Sequence, residues 1–176
     1  MIGSAYDEDK MDGKKRRQIS SIAETIREAF KMPSPIDMEK AVSRLGGRIE
    51  AARGDKEATI GREDESFVIR LDGTKPFVRR TFSLAHELGH LVLHMGFGQP
   101  EKWHQSEDYE ESYARSGWSE EEYEANEFAA SFLMPSAEFR QVAANATSIK
   151  FIAEHFGVSV DAALTRGRFL GIYSWS

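Results

Sequence analysis

The sequence predicts an α+β domain, with a small antiparallel sheet packed on one central helix and a helical C-terminal part. Short runs rich in Val, Ile and Phe occupy the region around residues 48–82, which is typical of strands. Apolar residues recur at helical spacing before and after that region. The length of 176 residues fits one hydrophobic core, and no linker divides the chain.

The N-terminal part predicts a polar lead-in followed by two helices. Residues 1–17 end in the basic run Lys14-Lys15-Arg16-Arg17, and we expect them to be disordered and solvated. A single domain would then cover residues 18–176. Apolar residues between 19 and 30 predict a first amphipathic helix, and Asp37 is a plausible N-cap for a second helix.

Four short strands are predicted before the central helix. They cover residues 48–52, 58–61, 66–71 and 77–82, the last one after an Asp72-Gly73 turn. The central helix would then begin near Thr81 or Ser83, either of which could cap it. A long aromatic and acidic connection, 96–118, separates this helix from the next one at 120–134.

Composition excludes several classes of function. The formal net charge of −6 argues against non-specific wrapping of nucleic acid, which requires many Lys and Arg side chains on phosphates. The absence of Cys excludes disulfides, thiolate metal sites and Cys nucleophiles. No apolar run approaches the ~18 residues of a membrane span, and residues 1–10 lack the apolar core of a signal peptide. We therefore expect a cytoplasmic protein without membrane contact.

The run His86-Glu87-Leu88-Gly89-His90 predicts a metal site on the central helix. Two His four residues apart lie on one helical face and can bind one ion. Glu87 lies about 100° further round the helix, where it could accept a proton from a water molecule at the site without being a ligand. The alternative is that both His are ordinary packed residues.

The third ligand is less clearly indicated. His94 continues the stripe, but eight residues span about 12 Å of helix, too far for one ion together with His86. His104 and His155 are possible. Glu122 is a better candidate, because it shares the apolar face of the helix at 120–134.

The environment of Glu122 allows a second interpretation. Ser119-x-x-Glu122 matches a capping box, which would engage the same side chain at the helix start. Asn126 lies one turn after Glu122, whereas Glu120 and Glu127 are expected to face solvent. The pattern alone leaves the two interpretations of Glu122 equally open.

Two motifs together resemble the ImmA/IrrE family of bacterial metallopeptidases. They are Arg79-Arg80-Thr81-Phe82-Ser83-Leu84-Ala85 followed by His-Glu-Leu-Gly-His, and Glu-Tyr-Glu-Ala-Asn-Glu-Phe-Ala-Ala-Ser-Phe-Leu-Met-Pro ending at Pro135. The resemblance runs from about residue 35 to 170. It implies a minimal thermolysin-like (zincin) fold and a regulatory zinc endopeptidase that cleaves or inactivates a helix-turn-helix transcriptional repressor, often in a stress response.

The resemblance also implies roles for individual residues. His86, His90 and Glu122 would bind Zn²⁺, with another divalent ion such as Mn²⁺ as an alternative, and Glu87 would be catalytic. Asn126 would orient one of the His. Glu121 and Glu124 are alternative third ligands.

Two other functions compete with peptide hydrolysis. Residues 149–170 resemble a helix-turn-helix with Gly157 at the turn, which would make the chain a DNA- or protein-binding module. Its second helix carries only Arg166 and Arg168 as basic residues, so direct DNA binding is disfavoured. The third possibility is a non-catalytic antagonist that holds zinc and disables a partner by binding it.

Overall fold

The computed structural model describes residues 11–105 and 119–175, and α-helices dominate them. The first helix, α1 (Gly13–Phe30), begins inside the stretch predicted to be disordered. Asp12 caps it by accepting from the backbone N–H of Lys14, so the lead-in prediction was wrong for residues 13–17. Helix α2 (Met38–Arg44) follows with the predicted N-cap Asp37, which accepts from the backbone N–H of Lys40.

Three strands form one mixed sheet in the order β1-β3-β2. They are β1 (Arg48–Ala51), β2 (Ala58–Glu63) and β3 (Ser66–Leu71). β2 pairs with β3 antiparallel, but β1 pairs with β3 in parallel, so the prediction of a purely antiparallel sheet was wrong. The structure confirms the α+β class. Strand β3 is the central strand and carries the fully buried Phe67, Val68 and Ile69.

The predicted fourth strand is the start of the central helix, α3 (Phe77–Leu93). Asp72 does form a turn, in which its side chain accepts from the backbone N–H of Thr74. The helix begins after its N-cap residue Pro76, where no side-chain capping bond forms. Thr81 and Ser83, the expected caps, lie inside the helix. Local β-propensity at 77–82 is overridden because Thr81, Leu84 and Leu88 extend the buried helical face.

Helix α3 packs on the helix that carries Glu122, here α5 (Glu120–Leu133), after the short α4 (Pro100–Gln105). Gly89 makes this packing close, because a Cβ there would lie 3.0 Å from the Cα of Ala125. Large apolar side chains continue the interface into a core with no exposure; they include Leu88, Leu91, Phe128, Phe132 and Leu133. The part of the 96–118 connection from 106 onward lies outside the described residues.

Three helices complete the described chain: α6 (Ser136–Asn145), α7 (Ile149–Phe156) and α8 (Val160–Phe169). Gly157 ends α7 in the left-handed conformation (φ 66°), which Gly adopts without steric cost. Ser159 then caps α8 by accepting from the backbone N–H of Ala162. Among the described residues, no helix combines the length and apolar character that a bilayer crossing requires.

Candidate metal centre

Helix α3 presents His86 and His90 on the face that it turns toward α5. Their spacing of one helical turn stacks the two rings edge to face, with centroids 4.6 Å apart. The Nε2 atoms lie 2.9 Å from each other. His90 is 2% exposed, whereas the side chain of His86 keeps 16% of its surface at the cleft. One ring is therefore anchored in the interior and the other borders solvent.

Helix α5 brings the carboxylate of Glu122 to the same point. One carboxylate oxygen lies 3.2 Å from His86 Nε2 and the other lies 3.3 Å from His90 Nε2. Both interpretations of Glu122 can now be compared: Ser119 begins α5, but no side-chain capping bond forms there. The carboxylate instead faces α3, across the close contact that Gly89 permits.

The three side chains lie close enough together to share one metal ion. Tetrahedral ligands at about 2.0–2.2 Å from zinc lie about 3.3–3.6 Å from one another. Here the two Nε2 atoms lie 2.9 Å apart, and each lies 3.2 or 3.3 Å from one of the two carboxylate oxygens, at or slightly below that spacing. Two imidazole nitrogens and a carboxylate carry electron pairs that repel one another when they converge. The arrangement is favourable only with positive charge among them, supplied by a proton or a metal ion. His86, His90 and Glu122 could therefore hold an ion.

Each His is held by a second polar group at Nδ1. Asn126 Oδ1 lies 2.8 Å from His86 Nδ1 and accepts a hydrogen bond from it. His90 Nδ1 lies 2.9 Å from His94 Nδ1. With Nδ1 carrying the hydrogen, Nε2 of each ring offers its lone pair to the site.

The environment shifts the pKa values of all three side chains, and for His90 and Glu122 the shift is in the direction that metal binding needs. Burial lowers the pKa of His90 to about 4 despite the neighbouring Glu122 carboxylate, so His90 is neutral near pH 7. Burial favours a neutral Glu122, but the neighbouring side chains of His86 and His90 outweigh it and hold the pKa of this carboxyl far below its usual value. Burial also lowers the pKa of His86, yet Glu122 and Glu87 raise it overall.

Glu87 lies beside these residues as a buried carboxyl, 9% exposed, that also lines the cleft. Burial raises its pKa to about 7; the charge of Glu122 adds to the rise, whereas His86 and Lys56 oppose it. A carboxyl with a pKa near neutrality can accept and return a proton at physiological pH. The same feature is frequent at catalytic sites.

The cleft in front of these groups has a volume of about 1000 Å³. One wall is the edge strand β2, through residues 58–60, and the loop that precedes it. The opposite wall is formed by α3 and α5, including Phe82 and Asn126. An extended peptide segment would have room in a cleft of this size.

The structure does not bring the other proposed ligands to this point. Glu121 is exposed, and Glu124 turns toward His94 and Lys15. His104 pairs with Glu65 at 3.4 Å, and His155 pairs with Glu138 at 2.8 Å.

Three features were not predicted from the sequence. Glu127, expected to face solvent, is 6% exposed and pairs with Arg16 and Arg166, so that expectation was wrong. The second is Gly89, a helix-interior glycine, whose presence is a signal for close helix packing. The third is the His94–Glu124 contact at 2.9 Å, which joins two helices. Helical spacing predicts only that His94 lies beside His90.

Three comparisons with known proteins bear on the fold and the family of this chain. A solved structure described as a Mycobacterium tuberculosis transcriptional regulator is similar over 86% of this chain, with a TM-score of 0.60 and 15% identity. The similarity covers 46% of that regulator, so this chain spans about half its length, and at this identity only the fold is shared. No curated protein matches the sequence. The model of the IrrE N-terminal-like domain, the M78 peptidase family, matches residues 42–167, and the chain therefore belongs to that family.

Proposed function

We propose that this chain is a zinc-dependent endopeptidase with a regulatory role. The observation that carries the proposal is the convergence of His86 Nε2, His90 Nε2 and the Glu122 carboxylate, next to the buried carboxyl of Glu87. Three ligands with the fourth direction open to a cleft are typical of catalytic zinc, whereas structural zinc usually has four protein ligands. Mn²⁺ is the alternative ion.

In the proposed reaction Glu87 is the proton carrier. A zinc ion held by the three ligands would polarise the scissile carbonyl and lower the pKa of water toward 7. Glu87 accepts a proton from the attacking water and passes it to the leaving amine, for which its pKa of about 7 is suited. Asn126 keeps His86 in the tautomer that leaves Nε2 unprotonated.

The proposed substrate is a helix-turn-helix transcriptional repressor in the cytoplasm, cleaved or inactivated in a stress response. Membership of the IrrE-like family supports a regulatory role. The similar solved structure is described as a transcriptional regulator, which agrees with that role.

The substrate is expected to bind as an added strand along β2. In the described chain β2 is an end strand of the sheet, and residues 58–60 border the cleft. A charged Thr59→Glu change should raise KM for a repressor substrate, whereas Ala51→Glu on the opposite edge strand should not. Equal kinetics for the two variants would exclude this binding mode.

The DNA-binding alternative is disfavoured because both basic side chains of α8 make contacts within the protein. Arg166 is buried and donates to Glu24 at 3.0 Å, so it is not available to a phosphate. Arg168 donates to the backbone oxygen of Ser174 and lies over the ring of Trp175.

Two residues of the basic run at 14–17 also form ion pairs within the protein. Lys15 pairs with Glu120 and Glu124, and Arg16 pairs with Glu127. These contacts lower the positive charge that could meet nucleic acid.

The substitution Glu87→Gln separates a peptidase from a zinc-holding antagonist. Purified variants would be incubated with helix-turn-helix repressors from the same genome, and fragments would be identified by mass spectrometry. We expect Glu87→Gln to retain zinc but to slow cleavage by about 10²–10⁴-fold, the usual contribution of a proton carrier. The control is Glu154→Gln, on the exposed face of α7. Repressor inactivation at the wild-type level by Glu87→Gln would instead identify a binding antagonist.

A further inference from the structure

We propose that helix α1 helps to hold the metal site, through a hydrogen-bond chain that runs from Lys15 to Glu124, His94 and His90. In this chain Lys15, Glu124 and His94 are positioning residues, because they act on the ion only through His90. The inference rests on the proposed function, in that it requires His90 to be a metal ligand.

The contacts form an unbroken series from the surface to the site. His94 Nδ1 lies 2.9 Å from His90 Nδ1, and His94 Nε2 lies 2.9 Å from a carboxylate oxygen of Glu124. The other oxygen of Glu124 pairs with Lys15, which also donates to Glu120 at 2.6 Å. The side chains of His94 and Glu124 are only 7% and 12% exposed.

The hydrogen positions along this series of hydrogen bonds follow from the Glu124 carboxylate. A carboxylate only accepts, so His94 must carry its hydrogen on Nε2 to donate to Glu124. Neutral His94 then accepts at Nδ1, and His90 must donate from its own Nδ1. His90 is thereby fixed in the tautomer that leaves a lone pair on Nε2. This atom lies 2.9 Å from His86 Nε2 and 3.3 Å from a carboxylate oxygen of Glu122.

Lys15 and His94 both donate to the Glu124 carboxylate. Without Lys15, a carboxylate at 12% exposure would keep only one of these two donors.

The rest of α1 holds Lys15 in place along α5. Arg16 lies 3.3 Å from Glu127, and Ser20 Oγ lies 2.8 Å from Ser131 Oγ. Helix α1 lies outside the 42–167 region that the family model matches. The N-terminal helix would therefore contribute to metal affinity in this chain from outside the matched domain.

The test is the zinc dissociation constant of the full chain, measured by competition with a chelator. We expect His94→Phe to weaken zinc binding about 10–100-fold, the usual effect of losing a partner behind a ligating His. We expect Lys15→Met to weaken it about two- to fivefold, as for a partly exposed ion pair, and Lys15→Arg to restore it. Controls are Lys14→Met, on the exposed side of α1, and His155→Phe, which removes a His–Glu pair outside the cleft.

A second readout follows the tautomer of His90 directly. In the metal-free wild type, ¹⁵N NMR should show hydrogen on Nδ1 of His90, and this preference should be lost in His94→Phe. Zinc affinity within twofold of wild type in folded His94→Phe, or equal affinity of Lys15→Met and Lys14→Met, would overturn the inference. Wild-type protein that binds no zinc would overturn both this inference and the proposed function, whereas zinc binding without cleavage would overturn only the latter.

Discussion

Two buried polar clusters lie on different faces of helix α5, and they differ in how their charges are balanced. Around Glu122, two His nitrogens and a carboxylate converge with their electron pairs toward one another. Around Glu127, the opposite holds: Arg166 donates to Glu127 and Glu24, and its Nε–H donates to the backbone oxygen of Met134. The first cluster is complete only when a cation joins it, whereas the second already contains its cation.

The difference separates a candidate binding site from a structural contact, although both contain buried carboxylates. Burial raises the pKa of Glu127 and the nearby arginines oppose this, while burial lowers the pKa of Arg166 and the carboxylates oppose it. Arg166 forms ion pairs with Glu24 and Glu127, and these pairs link α1, α5 and α8. Near Glu122 the positive charge would instead be supplied by a proton or a metal ion.

The largest expected effect is on the balanced cluster. Arg166→Met would leave Glu127 buried without its main cation, which typically costs about 3–5 kcal/mol in the free energy of unfolding. Urea unfolding measures it, with Arg168→Met as the control. A loss below about 1 kcal/mol would show that the Glu127 cluster is not the structural contact described above.

A smaller effect on stability is expected from Glu87, because burial disfavours its charged form. Its pKa rises from 4.5 in the unfolded chain to about 7 in the folded one, so the folded state binds more protons between these pH values. Stability then falls as pH rises through this window, by up to about 3 kcal/mol for a shift of this size. Glu87→Gln, which does not ionise, should escape that loss.

The measurement is chemical unfolding of metal-free wild type and Glu87→Gln at pH 5 and pH 8. We expect Glu87→Gln to gain stability relative to wild type between the two values. A constant difference between the two proteins would mean that Glu87 is not a buried carboxyl with a raised pKa.

The smallest expected effect concerns the group behind His86. Asn126→Ala removes the acceptor that fixes the His86 tautomer and should weaken zinc binding about 10–100-fold, or roughly 1.4–2.7 kcal/mol, without a comparable loss of stability. Chelator competition measures the affinity and thermal unfolding measures the stability. Unchanged affinity would show that Asn126 does not support metal binding through His86.

The sequence predicted the unbalanced cluster better than the balanced one. The five residues from His86 to His90 lie on one helix, so their geometry follows from helical periodicity alone. Glu122 was ambiguous from its local pattern, because capping and ligation require the same side chain. The close packing at Gly89 lets the Glu122 carboxylate lie beside the two His, and this is a contact between distant segments.

The errors have the same physical origin. Residues 77–82 have strand-like composition, yet they form the start of α3 because the helix buries Thr81 and Leu84. Glu127 was expected on the surface, since a charge inside a domain requires a partner that only tertiary structure supplies. That partner, Arg166, is 39 residues away on α8. Local patterns therefore predicted most of the elements, but not the pairing between them.

The central claim is that His86, His90 and Glu122 together bind one zinc ion. The most direct test is the metal content of the purified chain after zinc supplementation, measured by elemental mass spectrometry beside His86→Ala and Glu122→Ala. We expect about one zinc per wild-type chain and its loss from both variants. Stoichiometric zinc retained by Glu122→Ala, or none in the wild type, would contradict it.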